Sequence, residues 1–229
     1  MPDKPLQEYE QKRDFKETPE PKGVTEHAES DVLRFVVQKH DARRLHYDLR
    51  LEMEGVLKSW AVPKGPSLDP SDKRLAVHTE NHPLKYLTFE GVIPKGQYGA
   101  GNMIVWDRGT FECIGAEKDP VKAFAKGIID IRLHGEKLKG MWLLVKLKGE
   151  PNQWLFFKKP DQYADSTRDL LDEMPESVLS GRRVEELVEG TSSAWSSRLE
   201  RLLDELQLEP GRIDEKVRPM LASLEGSVP

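Results

Sequence analysis

A stripe of polar residues that could hold a metal ion runs through residues 44–53, which read RLHYDLRLEM. Polar and apolar residues alternate there. Because successive side chains of a β-strand point to opposite faces, His46, Asp48 and Arg50 are predicted to share one face. The run just before it places His40 on a polar face of its own. If the two strands pair, we expect His40 to lie beside His46 and Asp48.

Two imidazoles and one carboxylate suit Mn²⁺, Zn²⁺ or Fe²⁺ and leave coordination positions open for a substrate. The residues alone leave three hypotheses open. A polar strand face is often merely solvated. The set His46, Asp48 and His82 has the layout of the metal triad of non-haem iron oxygenases. Arg50, which points to the same side as Asp48, is suited to phosphate oxygens and favours metal-assisted phosphoryl chemistry.

The elements that must position these residues are predicted to be short β-strands broken by turn residues. Glu54-Gly55 has the composition of a hairpin turn. Such short strands joined by short turns predict an antiparallel barrel or sandwich. The eight predicted strands span residues 34–40, 43–54, 56–63, 73–80, 102–114, 128–134, 138–148 and 153–159.

One helix and one long loop interrupt the strands. The helix is predicted over residues 120–126, because Asp119 can cap its start, Pro120 suits its first turn and Gly127 its end. Residues 81–101 are too long and too rich in Gly and Pro for a hairpin, and long ordered loops on β scaffolds tend to carry function.

The chain is predicted to have three regions. Residues 1–30 form a polar arm that is ordered only if it docks, and residues 31–160 form the barrel domain. Residues 161–229 form an acidic, helical tail that we expect to be dispensable for chemistry. Its helices are predicted over residues 166–174, 181–189 and 192–207, the last with a leucine stripe suited to docking on protein.

Charge is distributed unevenly along the chain, whose net charge is -5. Residues 31–160 carry 22 basic and 16 acidic side chains, a balance of +6, whereas residues 1–30 carry -3 and residues 161–229 carry -8. A basic body between acidic flanks can attract a polyanion such as a nucleic acid.

Composition also excludes several classes of protein. No apolar run approaches the roughly 18 residues that span a bilayer, and the N-terminal residues lack the apolar stretch of a signal peptide. The single cysteine, Cys113, excludes an internal disulfide and a cysteine-based zinc cluster. We therefore expect a soluble cytoplasmic protein, without a membrane partner.

Longer motifs then point to one family. They are FVVQKHDARRLHYDLRLEMEGVLKSWAVPKGPS, RLAVHTENHPLKYLTFEGVIPKGQYGAG and IVWDRGTFE, with YEQKRDFKETPEP in the arm. Over about residues 5–160 the sequence strongly resembles the 3′-phosphoesterase domain of bacterial DNA ligase D. The resemblance narrows the expected fold to a mainly β class: a small closed antiparallel β-barrel of about eight strands with a short helix, followed by the helical C-terminal appendage.

The resemblance implies an enzyme that removes 3′-terminal ribonucleosides, as a phosphodiesterase, and 3′-phosphates, as a phosphomonoesterase, from primer strands. It implies a divalent metal cofactor, manganese first, with zinc or cobalt as alternatives. Its expected substrates are DNA or RNA–DNA primer-template 3′ ends, and its expected setting is break repair by end joining. An iron oxygenase and a catalytically inactive nucleic-acid-binding barrel are the competing hypotheses.

The resemblance also implies roles for individual residues. His40, His46 and Asp48 match the family's metal ligands, and Arg50, His82 and Tyr86 match residues that contact the phosphate. Further matched positions are Gln38, Lys64, Arg74 and Glu80 around the site, and Arg13, Asp14 and Glu20 in the arm.

The last residues carry a second resemblance. Residues 216–226, KVRPMLASLEG, resemble the segment that opens the ATP-dependent ligase domain, but no adenylation lysine motif follows. We therefore expect either a stand-alone phosphoesterase or a fragment of a larger ligase, monomeric and without ligation activity. A DNA ligase or Ku is the expected protein partner.

Overall fold

The computed structural model describes residues 4–25 and 32–188 of the 229-residue chain. Within them lies one antiparallel sheet of nine strands in the order β1-β2-β3-β4-β9-β8-β7-β6-β5, which closes because β1 also pairs with β6. The closed barrel therefore has eight strands, as predicted, and β5 adds a ninth beside β6. The strands are β1 Leu33–Asp41, β2 Leu45–Met53, β3 Val56–Val62, β4 Arg74–His78, β5 Gly91–Ile93, β6 Gly101–Cys113, β7 Ile128–Gly135, β8 Lys139–Lys146 and β9 Gln153–Lys158.

The barrel interior is filled by one face of each strand. Phe35 and Val37 of β1 and Leu49 and Leu51 of β2 are buried in the same apolar cluster. Four tryptophans complete that cluster, namely Trp60, Trp106, Trp142 and Trp154. Because side chains alternate along a strand, filling the interior with these residues turns the polar stripe of β1 and β2 to the opposite face.

The short helix predicted over residues 120–126 is confirmed as α2, Pro120–Lys126, the second helix along the chain. The Asp119 carboxylate accepts hydrogen bonds from the backbone N–H of Val121 and Lys122, and Gly127 ends the helix with a φ of 75°. Both helix ends could be predicted from the sequence, because Asp at the start and Gly at the end satisfy backbone groups that a helix leaves unpaired.

The long stretch 81–101 is more structured than the predicted loop. It contains a 3₁₀ helix, Leu84–Thr88, and the short strand β5. A single β-bridge also joins His82 to Leu57 of β3. Three-residue strands and single bridges carry too few residues to show a period, and this is why the sequence pattern missed them.

The arm docks on the barrel. Its 3₁₀ turn Lys4–Leu6 and helix α1, Gln7–Gln11, precede an extended stretch. Leu6 and Tyr9 are fully buried, in a second apolar cluster that includes Leu57 and Leu84. The arm is therefore ordered by burial of its own apolar side chains outside the barrel interior.

Residues 161–188 belong to the same compact unit as the barrel. Two helices were predicted here, but the structure has only the short α3, Leu170–Glu173, and a 3₁₀ turn, Val184–Glu186. The first begins four residues later than predicted, where the Asp169 side chain caps it by accepting from the Leu171 N–H. It ends before Met174, because the residue before Pro175 disfavours helical backbone. Leu170 and Val184 are buried, and the Trp106 indole donates to the Met174 carbonyl oxygen at 2.8 Å.

The functional division at residue 160 stays a prediction. The predicted helix 192–207 and the ligase-like segment 216–226 lie outside the described residues. Across the part of the chain that the structure covers, the helices are too short to cross a membrane.

Candidate metal centre

The predicted metal ligands meet because β1 and β2 pair in the expected register. His40 lies opposite His46, and Gln38 lies opposite Asp48. The His40 Nδ1 and Asp48 Oδ2 atoms are 3.6 Å apart, as are His46 Nε2 and Asp48 Oδ1. Ligands about 2.1 Å from a shared ion stand about 3 to 3.5 Å apart, so these spacings fit a metal. One ligand atom from each residue lies within 4.8 Å of the other two.

Both histidines are oriented by backbone carbonyls. His40 Nε2 donates to the Gly99 carbonyl oxygen at 2.9 Å, and His46 Nδ1 donates to that of Arg44 at 2.8 Å. Because a carbonyl oxygen can only accept, each contact places the ring proton on that nitrogen. The lone pairs of His40 Nδ1 and His46 Nε2 are thereby left facing Asp48, as metal ligation requires.

Asp48 is held ionised beside these lone pairs. Burial on its own would raise the pKa of Asp48, but the Arg50 guanidinium, the largest opposing influence, helps to hold that pKa well below its usual range. Arg50 Nη2 donates to Asp48 Oδ2 at 3.0 Å. The donor set therefore fits a divalent cation.

Arg50 is locked in place by three contacts. Besides Asp48, it donates from Nε to Gln38 Oε1 at 2.7 Å and from Nη1 to Ser59 Oγ at 2.9 Å. Gln38 in turn donates from Nε2 to the Phe89 carbonyl oxygen at 2.8 Å. A guanidinium has five N–H donors, and two of those of Arg50 make no hydrogen bond within the residues that the structure describes, so they can bind an anion.

His82 faces Arg50 across Ser59 and is neutral. Its Nδ1 donates to the Glu80 carbonyl oxygen at 3.0 Å, while its Nε2 lies 3.3 Å from Arg13 Nη2 and can only accept there. Burial, then Arg50 and Arg13, lower the pKa of His82 well below 6.5. In the substrate-free site, Nε2 is therefore a hydrogen-bond acceptor.

The arm supplies the opposite wall of the pocket. Arg13 pairs with Glu20 at 2.7 Å and with Glu80 at 3.2 Å, and all three side chains are almost completely buried. Tyr86 also donates its hydroxyl hydrogen to Glu20. Burial, and then Glu20, raise the pKa of Tyr86 well above 10, so the phenol keeps its proton.

These groups enclose a pocket of about 260 Å³. A wider groove of about 630 Å³ lies on the β7–β8 hairpin, lined by residues such as His134 and Asp161. We place the site in the smaller pocket, because the described residues group three metal-ligating side chains there and at no other place.

Besides Gln38, which is fully buried and contacts Arg50 from outside the pocket lining, three predicted site residues do not reach this pocket. Asp14 is exposed and caps a turn of the arm by accepting from the Lys16 N–H at 3.0 Å. Lys64 is exposed beyond the end of β3. Arg74 pairs with Asp72 at 2.8 Å and lines a separate surface pocket with Asp169. The roles expected for these three residues stay predictions.

The structure also adds residues that the sequence did not single out. Ser59 contacts both Arg50 and His82. The sequence could have indicated it, because pairing the residues on either side of the two-residue turn at Glu54-Gly55 places Ser59 opposite Arg50. Tyr9 packs its ring against His82, with centroids 5.2 Å apart, and Tyr98 lines the pocket rim. No periodicity marks these two tyrosines, because neither lies in a strand.

Comparison with known proteins identifies the domain. The profile described as "DNA Ligase D 3'-phosphoesterase domain" matches residues 38–146. Those residues belong to this family. They include the candidate metal ligands His40, His46 and Asp48, here called the metal group, together with Arg50, His82 and Tyr86. Arg13 and Glu20 of the arm lie outside the matched stretch.

Three relatives of this phosphoesterase domain carry the name multifunctional non-homologous end joining protein, or DNA repair protein, LigD. That of Pseudomonas aeruginosa is 54% identical over 184 residues, which cover 78% of this chain and 22% of the relative. That of Mycolicibacterium smegmatis is 47% identical over 163 residues, 69% of this chain and 21% of the relative. That of Mycobacterium tuberculosis is 44% identical over 157 residues, 69% of this chain and 20% of the relative. The chain thus spans about a fifth of the length of these relatives.

Proposed function

We propose that this chain is a metal-dependent phosphoesterase that heals DNA 3′ ends. It would remove a 3′-terminal ribonucleoside, leaving a 3′-phosphate, and then remove that phosphate. The observation that carries the proposal is the juxtaposition of the group His40, His46 and Asp48 with the free N–H donors of Arg50. The relatives' name supports a setting in end-joining repair.

Charge explains why such a site would need its metal. Two arginines, Arg13 and Arg50, and three carboxylates, Glu20, Asp48 and Glu80, line the pocket. Counting histidines as neutral, the lining carries -1, which repels a phosphate. A divalent cation on His40, His46 and Asp48 would change this to +1, and when bound it supplies Lewis-acid polarisation of phosphate oxygens.

The protein groups would then divide the remaining work. Hydrolysis forms a bond from a water oxygen to phosphorus and breaks the bond from phosphorus to the leaving ester oxygen, which takes up a proton. Arg50 would offset charge on the non-bridging oxygens, since its guanidinium is already fixed. Tyr86 and Arg13 would hold the phosphate from the side of the pocket that the arm supplies.

His82 would contact the phosphate through Nε2. Arg50 and Arg13 help to keep it neutral. An arriving phosphate offsets those two positive charges, so we expect substrate to raise the pKa of His82. Only then can it serve as the general acid, or as a charged stabiliser of the transition state.

Duplex binding is proposed from the basic barrel segment and from the relatives' name. Affinity should fall as salt rises, without sequence preference. A ligase or Ku as partner, and a cytoplasmic, monomeric state, remain part of the proposal.

The test is anaerobic cleavage of a labelled primer-template that ends in one ribonucleotide, with and without Mn²⁺. We expect Mn²⁺-dependent release of the terminal ribonucleoside, followed by loss of the 3′-phosphate. An oxygenase would instead need oxygen, an oxoacid and Fe²⁺, and His82 does not fall within the metal group as that triad requires. Binding without any cleavage would favour an inactive barrel, and equal cleavage of an all-DNA end would refute the selectivity for ribose.

A further inference from the structure

We propose that Tyr98 is a stacking platform for the base of the 3′-terminal nucleoside, an inference that rests on the proposed function. Tyr98 lines the pocket together with His40 and Asp48, yet the residue is 47% exposed. Of the aromatic residues that the structure describes, Tyr163 is the other one exposed to a similar degree, at 43%, and it lies on the β7–β8 groove. Tyr98 is thus an exposed aromatic ring at the mouth of a polar pocket.

The backbone that carries this ring is tied to the candidate metal ligands His40, His46 and Asp48. The next residue, Gly99, gives its carbonyl oxygen to His40 Nε2 at 2.9 Å. Two turns hold the loop around it, with Gln97 N–H donating to Pro94 at 3.1 Å and Ala100 N–H donating to Gln97 at 3.1 Å. Tyr98 is therefore one residue away from the group that orients a metal ligand.

Cations of the arm lie over the same ring, so a base would stack on the part of the ring that they leave open. Lys12 Nζ lies 4.7 Å from the ring centroid, and Arg13 Cζ lies 5.5 Å from it. Both side chains also pair with Glu80, each at 3.2 Å. These contacts steady the ring from the arm side, while its exposed fraction stays open to a ligand.

This arrangement suits a nucleotide at the end of a strand. Its phosphate would lie at Arg50 and the metal group, and its base would cover the exposed ring. Every base has a π-face, so stacking would hold the end without reading its sequence. Losing the ring should weaken binding of a base-bearing end roughly 5- to 150-fold.

The experiment compares Tyr98→Ala with Tyr98→Phe and with Tyr163→Ala, the exposed tyrosine away from the pocket. Each variant is tested on two primer-templates, one ending in a normal ribonucleoside and one whose terminal ribose lacks its base. We expect Tyr98→Ala to raise KM on the base-bearing end and to leave KM on the abasic end unchanged. Tyr98→Phe and Tyr163→Ala should behave as wild type on both ends.

A binding measurement separates this inference from the proposed function. A primer ending in 2-aminopurine ribonucleoside through a non-hydrolysable linkage reports stacking by fluorescence quenching, whether or not the wild type cleaves. Quenching by wild type and Tyr98→Phe, but not by Tyr98→Ala, supports the platform even if no end is cleaved. Quenching by Tyr98→Ala equal to that of the wild type would overturn the platform. An equal rise of KM on base-bearing and abasic ends would overturn it too, because it would show that the loop merely supports His40.

Discussion

The two walls of the pocket are built by different means. His40, His46, Asp48 and Arg50 come from two paired strands, and their order on the wall repeats their order in the sequence. The arm wall instead joins residues far apart in the chain, through a buried ion-pair cluster of Arg13, Glu20 and Glu80. We call these the strand wall and the arm wall. The strand wall is fixed by local alternation and pairing, whereas the arm wall depends on docking.

This difference predicts two kinds of variant. Changes on the strand wall should remove chemistry and leave the fold intact, because the barrel interior lies on the other face of the same strands. Changes on the arm wall should loosen the arm and reduce activity together, because breaking a buried ion pair leaves a charge without its partner.

The largest effect is expected on the strand wall. Asp48→Asn and His46→Ala should each lower the cleavage rate by roughly 10³-fold or more, because several kcal/mol of metal assistance are lost. The melting temperature should change little in His46→Ala, whereas Asp48→Asn also leaves the buried Arg50 without its ion-pair partner and should lower it. His134→Ala, on an exposed histidine of β7, is the matched control and should cleave normally. Full activity of either site variant would refute the metal assignment.

A smaller loss is expected on the arm wall. Arg13→Gln should slow cleavage by about 10²-fold through misplacement of the phosphate-binding groups, while Mn²⁺ affinity stays near that of the wild type. Limited proteolysis should also cut the arm faster, since Glu20 and Glu80 lose their shared partner. If Arg13→Gln lost its metal as well, the two walls would not be independent.

Truncation tests whether the site needs residues beyond the barrel. Ending the chain after Val188 should preserve both walls. Ending it after Pro160 removes the buried Leu170 and Val184 and should lower the free energy of unfolding by about 3 kcal/mol or more. The contacts thus favour a boundary after residue 188. Equal stability and activity of the two truncations would support the boundary at residue 160 instead.

The smallest effect concerns the protonation of His82. Because its pKa lies well below 6.5, the ring should stay neutral in the metal-free protein as pH falls from 8 to 6. The contribution of neutral His82 to the free energy of unfolding is therefore present above pH 6.5. It is lost as the pH falls below 6.5, because the unfolded chain takes up the proton first. Imidazole ¹⁵N shifts would report this directly.

The Arg13→Gln variant tests one cause of the lowered pKa of His82. Arg13 lowers the pKa of His82, so the variant should titrate at higher pH than the wild type. An unchanged or lower pKa would show that the arm wall does not act on His82 electrostatically.

The strand wall was predictable from the sequence, and the arm wall was not. Alternation through β2 and the facing polar residues of β1 placed His40, His46 and Asp48 together before any resemblance was invoked. The antiparallel strands and α2 followed similarly from short-range signals, whereas the closure of the barrel was implied by the resemblance alone. The contacts of Arg13 with Glu80 and His82 join residues about 70 positions apart, and no period connects them. The resemblance alone pointed to Arg13 and Glu20, and it also pointed to Asp14, Lys64 and Arg74, which the structure places outside the pocket.

The most direct test of the metal-dependent site is a titration of Mn²⁺ into metal-stripped protein, with bound Mn²⁺ and 3′-end cleavage measured on the same samples. Electron paramagnetic resonance of free Mn²⁺ gives the bound fraction. We predict that cleavage rises from zero in proportion to the Mn²⁺ occupancy of the strand-wall site. His46→Ala should show neither Mn²⁺ binding at this site nor cleavage. Cleavage by metal-free protein, or Mn²⁺ binding by His46→Ala equal to that of the wild type, would contradict the account.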